Sequence, residues 1–190
     1  MEKDEFEKED FSGKDFSKDD LSSKRFSNCA FSNCSFTKTI MRDSYFTDCI
    51  FKECSFNNSV LNGCRMQNTQ FNGCKIIATN FSVCSKLLLS PKFLNCIINV
   101  CSFSNLNLSN VSFLNSDIID CQFQKVDLKN ADFSKVNLER TFFNDSNLGG
   151  SNFSNARNYD IDSVQNKIEG AKFSYPQVLS LLKRFKIKID

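Results

Sequence analysis

The segment FSNCAFSNCSF, Phe26 to Phe36, runs twice through the same five-residue unit and places Cys29 and Cys34 each two residues before a phenylalanine. Extended both ways, the step of five starts at Phe6 and reaches Phe81 in sixteen positions, all of them Phe, Leu, Met or Ile. It resumes at Phe93 in a register shifted by two, holds for thirteen positions to Phe153, and meets Phe173 after a short lapse. Eighteen of the 21 phenylalanines occupy this one position. A period that accounts for the aromatic composition is the signature of a repeat architecture.

Five residues fit neither the 3.6-residue period of an amphipathic helix nor the two-residue period of a strand. A chain that turns every five residues, with four turns to a coil, does fit: a square-sectioned solenoid whose sides each send one central side chain to the axis. The residue two before each centre then also faces inward and has to be small. Cys29, Cys34, Thr39, Ser44, Cys49 and Cys54 open that series, and all ten cysteines belong to it. The thiols therefore read as packing. C-x4-C lacks the tighter spacing of zinc ligands, so no metal or other cofactor is expected. From Phe93 to Phe153 Phe alternates with Leu or Ile, which predicts aromatics on two opposite sides and aliphatics on the other two. Leu21, Met41, Leu61, Met66 and Ile76 interrupt the first run and predict a less regular N-terminal half.

The segment 82–92 is the one break in the rod, where the step from Phe81 to Phe93 is two repeats plus two residues. It holds the candidate partner-binding loop Ser85, Lys86, Leu87, Leu88, Leu89 and Ser90, an apolar run expected to stand exposed on a polar rod. The rod is assigned to residues 1–175 and a C-terminal helix and tail to 176–190. In YPQVLSLLKRF the helix opens at Pro176 and puts Val178, Leu181, Leu182 and Phe185 on one face, to cap the solenoid, to pair with a second copy, or both.

The formal net charge is +2 over 190 residues, but residues 1–20 carry nine acidic side chains against four lysines. With ten cysteines and a charged rather than apolar opening, a reducing cytoplasm is expected, with no membrane span. The sequence has no histidine and no glycine-rich phosphate loop, so the usual general base and nucleotide site are missing and an enzyme is not expected.

The units ADFSK, VNLER, SNLGG and SNFSN resemble the pentapeptide-repeat family, which implies an all-β fold, the right-handed quadrilateral β-helix. The opening FEKEDFSGKDFSKDDLSSKRFSNCAF and the closing NKIEGAKFSYPQVLSLLKRFKIKID resemble the ends of the Qnr group of quinolone-resistance proteins. That resemblance implies a homodimer joined through the C-terminal helices, with Val178, Leu181, Leu182 and Phe185 at the interface. It also implies a rod that mimics duplex DNA, contacts no nucleic acid itself, binds DNA gyrase or topoisomerase IV, and protects gyrase from fluoroquinolones. Asp10, Asp15, Asp20, Asp117, Asp127 and Asp132, each just before a centre, are the candidate anionic surface. Immunity to another gyrase poison and a scaffold role with an unrelated partner remain open beside this reading.

Overall fold

The period of five becomes a parallel β-solenoid of about eight turns, right-handed and four-sided, in the computed structural model of the chain, which describes residues 4–188. Glu2 and Lys3 of the acidic opening and Asp190 of the C-terminal tail lie outside the described residues. Each side contributes a short strand or a single bridge to a parallel ladder, such as Glu5–Glu7, Arg25–Ser27, Tyr45–Thr47 and Arg65–Gln67 on the first face. Paired centres are twenty residues apart, as in Phe6↔Phe26↔Phe46↔Met66. The second face carries Phe11, Phe31, Phe51 and Phe71, the third Phe16, Phe36, Phe56 and Ile76, and the fourth Leu21, Met41, Leu61 and Phe81.

The centres meet along the axis as stacked columns. Successive phenylalanines on one face lie nearly parallel at about one strand spacing: Phe31 on Phe51 at 4.8 Å, Phe103 on Phe123 at 4.8 Å, Phe133 on Phe153 at 4.9 Å. Rings of different faces meet edge to face, as Phe113 does with Phe123 at 5.8 Å. Beyond the break, Phe93, Phe113, Phe133 and Phe153 line the second face and Phe103, Phe123 and Phe143 the fourth. Ile98, Ile118 and Leu138 hold the third and Leu108, Leu128 and Leu148 the first, which is the alternation the sequence predicts. The N-terminal half departs from expectation. Its aromatic columns do end at Met66 and Ile76, yet its ladder keeps the twenty-residue register throughout. A Met or Ile in an axial column changes what fills the core without changing the length of chain per side.

Most corners are turned by a left-handed residue two after the centre, among them Asn28, Asn33, Asp43, Asp48, Asn58 and Gly63, with φ between 53° and 67°, while the corner after Phe81 is a 3₁₀ turn, Phe81–Val83. Asn, Asp and Gly adopt this conformation at least cost, which accounts for their recurrence there. The same corner also holds Ala78 at φ 49° and Val100 at φ 55°, and for a β-branched residue that is a strained setting.

The break resolves into an insertion and a deletion. Ser85 N donates to Cys64 O at 2.9 Å, so Ser85 stacks on Arg65, and Ser90 N donates to Met66 O at 2.9 Å, so Leu89 stacks on Met66. Lys86, Leu87 and Leu88 are the extra residues between, and one corner residue is dropped before Pro91. The net gain of two gives the pairings Phe71↔Phe93 and Ile76↔Ile98 across it. Contrary to expectation this is not the sole irregularity. Near the C-terminal end Phe142 pairs with Asp160, eighteen residues on, before Asn147↔Lys167 restores twenty, and Tyr159 and Ile161 fill the axis there.

Candidate protein-binding surface

The inward small position carries chemistry of a structural kind. Cys49, Cys54 and Cys74 donate their thiols to the carbonyls of Phe26, Phe31 and Phe51, at 3.4, 3.4 and 3.3 Å. Thr39, Ser59, Thr79 and Ser151 do the same with hydroxyls, reaching Phe16, Phe36, Phe56 and Leu128 at 2.7 to 2.8 Å. Each acceptor is a central residue's carbonyl 23 positions back, and the donor satisfies a buried acceptor at the turn. Asn166 makes the equivalent bond to Phe143 O at 2.8 Å with its amide. Cys, Ser and Thr are interchangeable here because each is a small donor. All ten cysteines are free and buried. Burial pushes the Cys49 and Cys64 thiols up to about 12, far from the thiolate a nucleophile needs. Among the described residues no three Cys, Asp or Glu side chains come together to hold a metal ion.

The six candidate aspartates do not share a face. Asp127 lies on the first, Asp10 and Asp132 on the second, Asp15 and Asp117 on the third, and Asp20 on the fourth. Four of them cap their own turns: Asp15, Asp20, Asp127 and Asp132 accept from the backbone N–H of Ser17, Ser22, Lys129 and Ser134 at 2.9 to 3.1 Å. Hydrogen bonds from Ser17 and Ser22 hold the Asp15 and Asp20 carboxyls below the usual range. Asp117 pairs with Arg157 at 3.2 Å. Three faces mix signs in their paired columns: Arg25, Arg65 and Lys167 with Glu5 and Asp127 on the first, Lys92 and Lys172 with Asp10 and Asp132 on the second. The third holds Lys75 and Arg157 beside Asp15 and Asp117.

The loop divides. Leu87 and Leu88 are 61% and 60% exposed beside exposed Lys86, but Leu89 is only 8% exposed, because it occupies the axial position left free once three residues are extruded. The expected apolar cluster on the rod therefore comprises two leucines rather than three. Ser90 Oγ accepts from Asn68 N at 2.8 Å and Ser85 Oγ from Leu87 N at 3.4 Å, which pins both ends of the loop.

At the C-terminal end a short helix of 3₁₀ type spans Gln177–Phe185 and lies across the last coil. Leu181 packs against the core, Val178 and Leu182 are half-buried, and Phe185 is 55% exposed. Arg184 Nη1 reaches both carboxylate oxygens of Asp162 at 2.8 Å and ties the helix to the coil. Among the described residues no helix is long and apolar enough to cross a membrane.

Two surface features escape the linear period. Arg25 and Arg65 flank the Tyr45 ring, their guanidinium carbons 4.9 and 4.6 Å from its centroid. Exposed Ile97 and Leu114 lie on either side of the corner between the second and third faces, and exposed Val100 turns the next corner. The signal for the first was the twenty-residue spacing of 25, 45 and 65, which puts three residues in one column.

The fold and surface define a class: a parallel solenoid rod with one extruded loop and one short terminal helix. The pentapeptide repeat region of known families matches residues 24–86 and 85–153, and the chain belongs to the pentapeptide-repeat family. Among solved structures it is similar to a trypsin-treated QnrB1, a plasmid-mediated fluoroquinolone resistance protein, with TM-score 0.74 and 17% identity over 98% of this chain and 99% of that one. A second trypsin-treated QnrB1 gives TM-score 0.71 and 19% identity over 100% and 95%. HetL, a pentapeptide repeat protein involved in heterocyst differentiation regulation in the cyanobacterium Nostoc, gives 0.55 and 12% over 89% and 84%. No curated protein sequence matches.

Proposed function

We propose that this chain is a Qnr-like binding protein of the cytoplasm that engages a type II topoisomerase, DNA gyrase or topoisomerase IV, and protects it from fluoroquinolones by contact rather than catalysis. The observation that carries the reading is the end-to-end likeness to QnrB1, a resistance protein, along with the Qnr-like opening and closing sequences. Such a rod occupies a duplex-sized groove by its shape. Asp10, Asp15, Asp20, Asp117, Asp127 and Asp132 add local negative charge on four sides, so the reading rests on shape and on the loop more than on a continuous anionic stripe. Val178, Leu182 and exposed Phe185 offer the apolar side chains for pairing two copies through the terminal helix.

The test is a gyrase supercoiling assay with purified protein, with and without ciprofloxacin. Restoration of supercoiling in the presence of drug is the expected result. Unchanged activity and unchanged drug sensitivity over a wide protein range would remove gyrase as the partner.

A further inference from the structure

The extruded loop does not stand on a neutral background. Through the Ser85–Cys64 backbone bond, Ser85 continues the first-face column Glu5, Arg25, Tyr45, Arg65, and Lys86, Leu87 and Leu88 leave the coil at the next position. Four adjacent coils therefore present Arg25, Tyr45, Arg65 and the loop in a line on one side of the rod.

The arginines are held in place. Each guanidinium lies against the Tyr45 ring from a neighbouring coil, so the ring takes up one side of it and leaves N–H edges for an acceptor. Arg25 shares one edge with Glu5 at 3.6 Å. Arg65 and Lys86 are in no ion pair among the described residues, although the rod pairs other exposed cations, such as Arg140 with Asp120 and Glu139, and Arg157 with Asp117. Two coil spacings separate the arginines by about 10 Å, the reach of three residues of extended chain or seven of helix, so carboxylates at such intervals meet both.

Resting on the protein-binding reading above, we propose that Arg25, Tyr45, Arg65, Lys86, Leu87 and Leu88 form one docking site for an acidic segment of the partner protein that carries an apolar residue. The carboxylates of the segment take the guanidinium edges, and its apolar side chain covers the two leucines. Charge complementarity selects an acidic ligand. The exposed leucines select a polypeptide over a nucleic acid, whose phosphates gain nothing from leucine.

The test uses the full-length chain and fluorescence anisotropy with three probes: a peptide of alternating Glu and Leu, the same peptide with Lys for Glu, and a single-stranded oligonucleotide of matched charge. The acidic peptide is expected to bind, to weaken as salt rises, and to lose affinity tenfold or more with Arg65→Glu and again with the pair Leu87→Ser and Leu88→Ser. Lys172→Gln on the second face is expected to leave it unchanged. Thermal melts of each variant separate lost binding from lost folding. Preference for the oligonucleotide or the basic peptide, no acidic-peptide binding up to millimolar, or full affinity in Arg65→Glu would each overturn the proposal. Acidic-peptide binding with no effect on gyrase would sink the gyrase reading and leave this site standing. Gyrase protection that survives Arg65→Glu would do the reverse.

Discussion

Phe142 and Phe143 are consecutive and chemically identical, and the five-residue register gives them opposite fates. Phe143 is 3% exposed, stacked on Phe123 at 5.0 Å and edge-on to Phe133 at 5.7 Å and Phe153 at 6.2 Å. Phe142 is 53% exposed and points away from the axis. Truncating Phe143 to Ala removes a buried ring and leaves a cavity, which costs about 3 to 5 kcal/mol, toward the upper end because three ring contacts are lost. Truncating Phe142 costs within about 0.5 kcal/mol. In urea, with a slope of about 3 kcal/mol/M, Phe143→Ala lowers the midpoint by roughly 1 to 1.7 M and Phe142→Ala by under about 0.2 M. Circular dichroism of both variants and the parent, fitted with a shared slope, reads the difference. A larger shift for Phe142→Ala than for Phe143→Ala would mean that the register is displaced by one residue in this coil, and the assignment of inward and outward sides beyond the break would fail with it.

Val100→Asn is expected to raise stability by about 1 kcal/mol, since Val100 holds φ 55° with its side chain 57% exposed and Asn tolerates that corner; a lower melting temperature would contradict this. The N–H of Val164 and then the Arg184 guanidinium hold the Asp162 carboxyl below the usual carboxylate range, so the tether is complete above that range and is lost as pH falls through the lowered value. Hydrogen exchange at 177–185 is therefore expected to accelerate below about pH 4, and Asp162→Asn to produce the same acceleration at neutral pH; a pH-independent pattern would place the anchor elsewhere. Phe185→Asp is expected to yield monomers in light scattering while leaving the melt of the rod unchanged, and an unaltered dimer would move the interface off this helix.

Much of this molecule was legible because its side-chain period is a simple integer. Counting by five assigns the axial residues from Phe6 to Phe81 and again from Phe93 to Phe153, and counting by twenty assigns faces, which already separates Asp127 from Asp132 and joins Arg25, Tyr45 and Arg65. The loop was legible as a surplus of two, but not as three residues out and one corner lost. That partition depends on which backbone groups in 85–90 find partners on Cys64 and Met66, and Leu89 turned inward because the axis there would otherwise be empty. The small inward position was read correctly as a matter of size. Its second use, as a donor for a carbonyl one coil away where Cys, Ser or Thr stands there, involves a partner 23 residues distant that no local pattern shows. The closing turns were least legible, since Tyr159 and Ile161 reach the axis out of step, where the rod meets its terminal helix.

The pairing of Phe71 with Phe93 across the loop has a consequence for how such a rod tolerates change. Because the coil closes on four sides whatever leaves it, the phase of the columns is the same on both sides of the interruption. The stretch between Ser85 and Leu89 behaves as a socket: longer or chemically different segments can be spliced there without rotating one end of the molecule against the other. Reach and specificity at that level are thus free to vary while the ruler on either side keeps its marks.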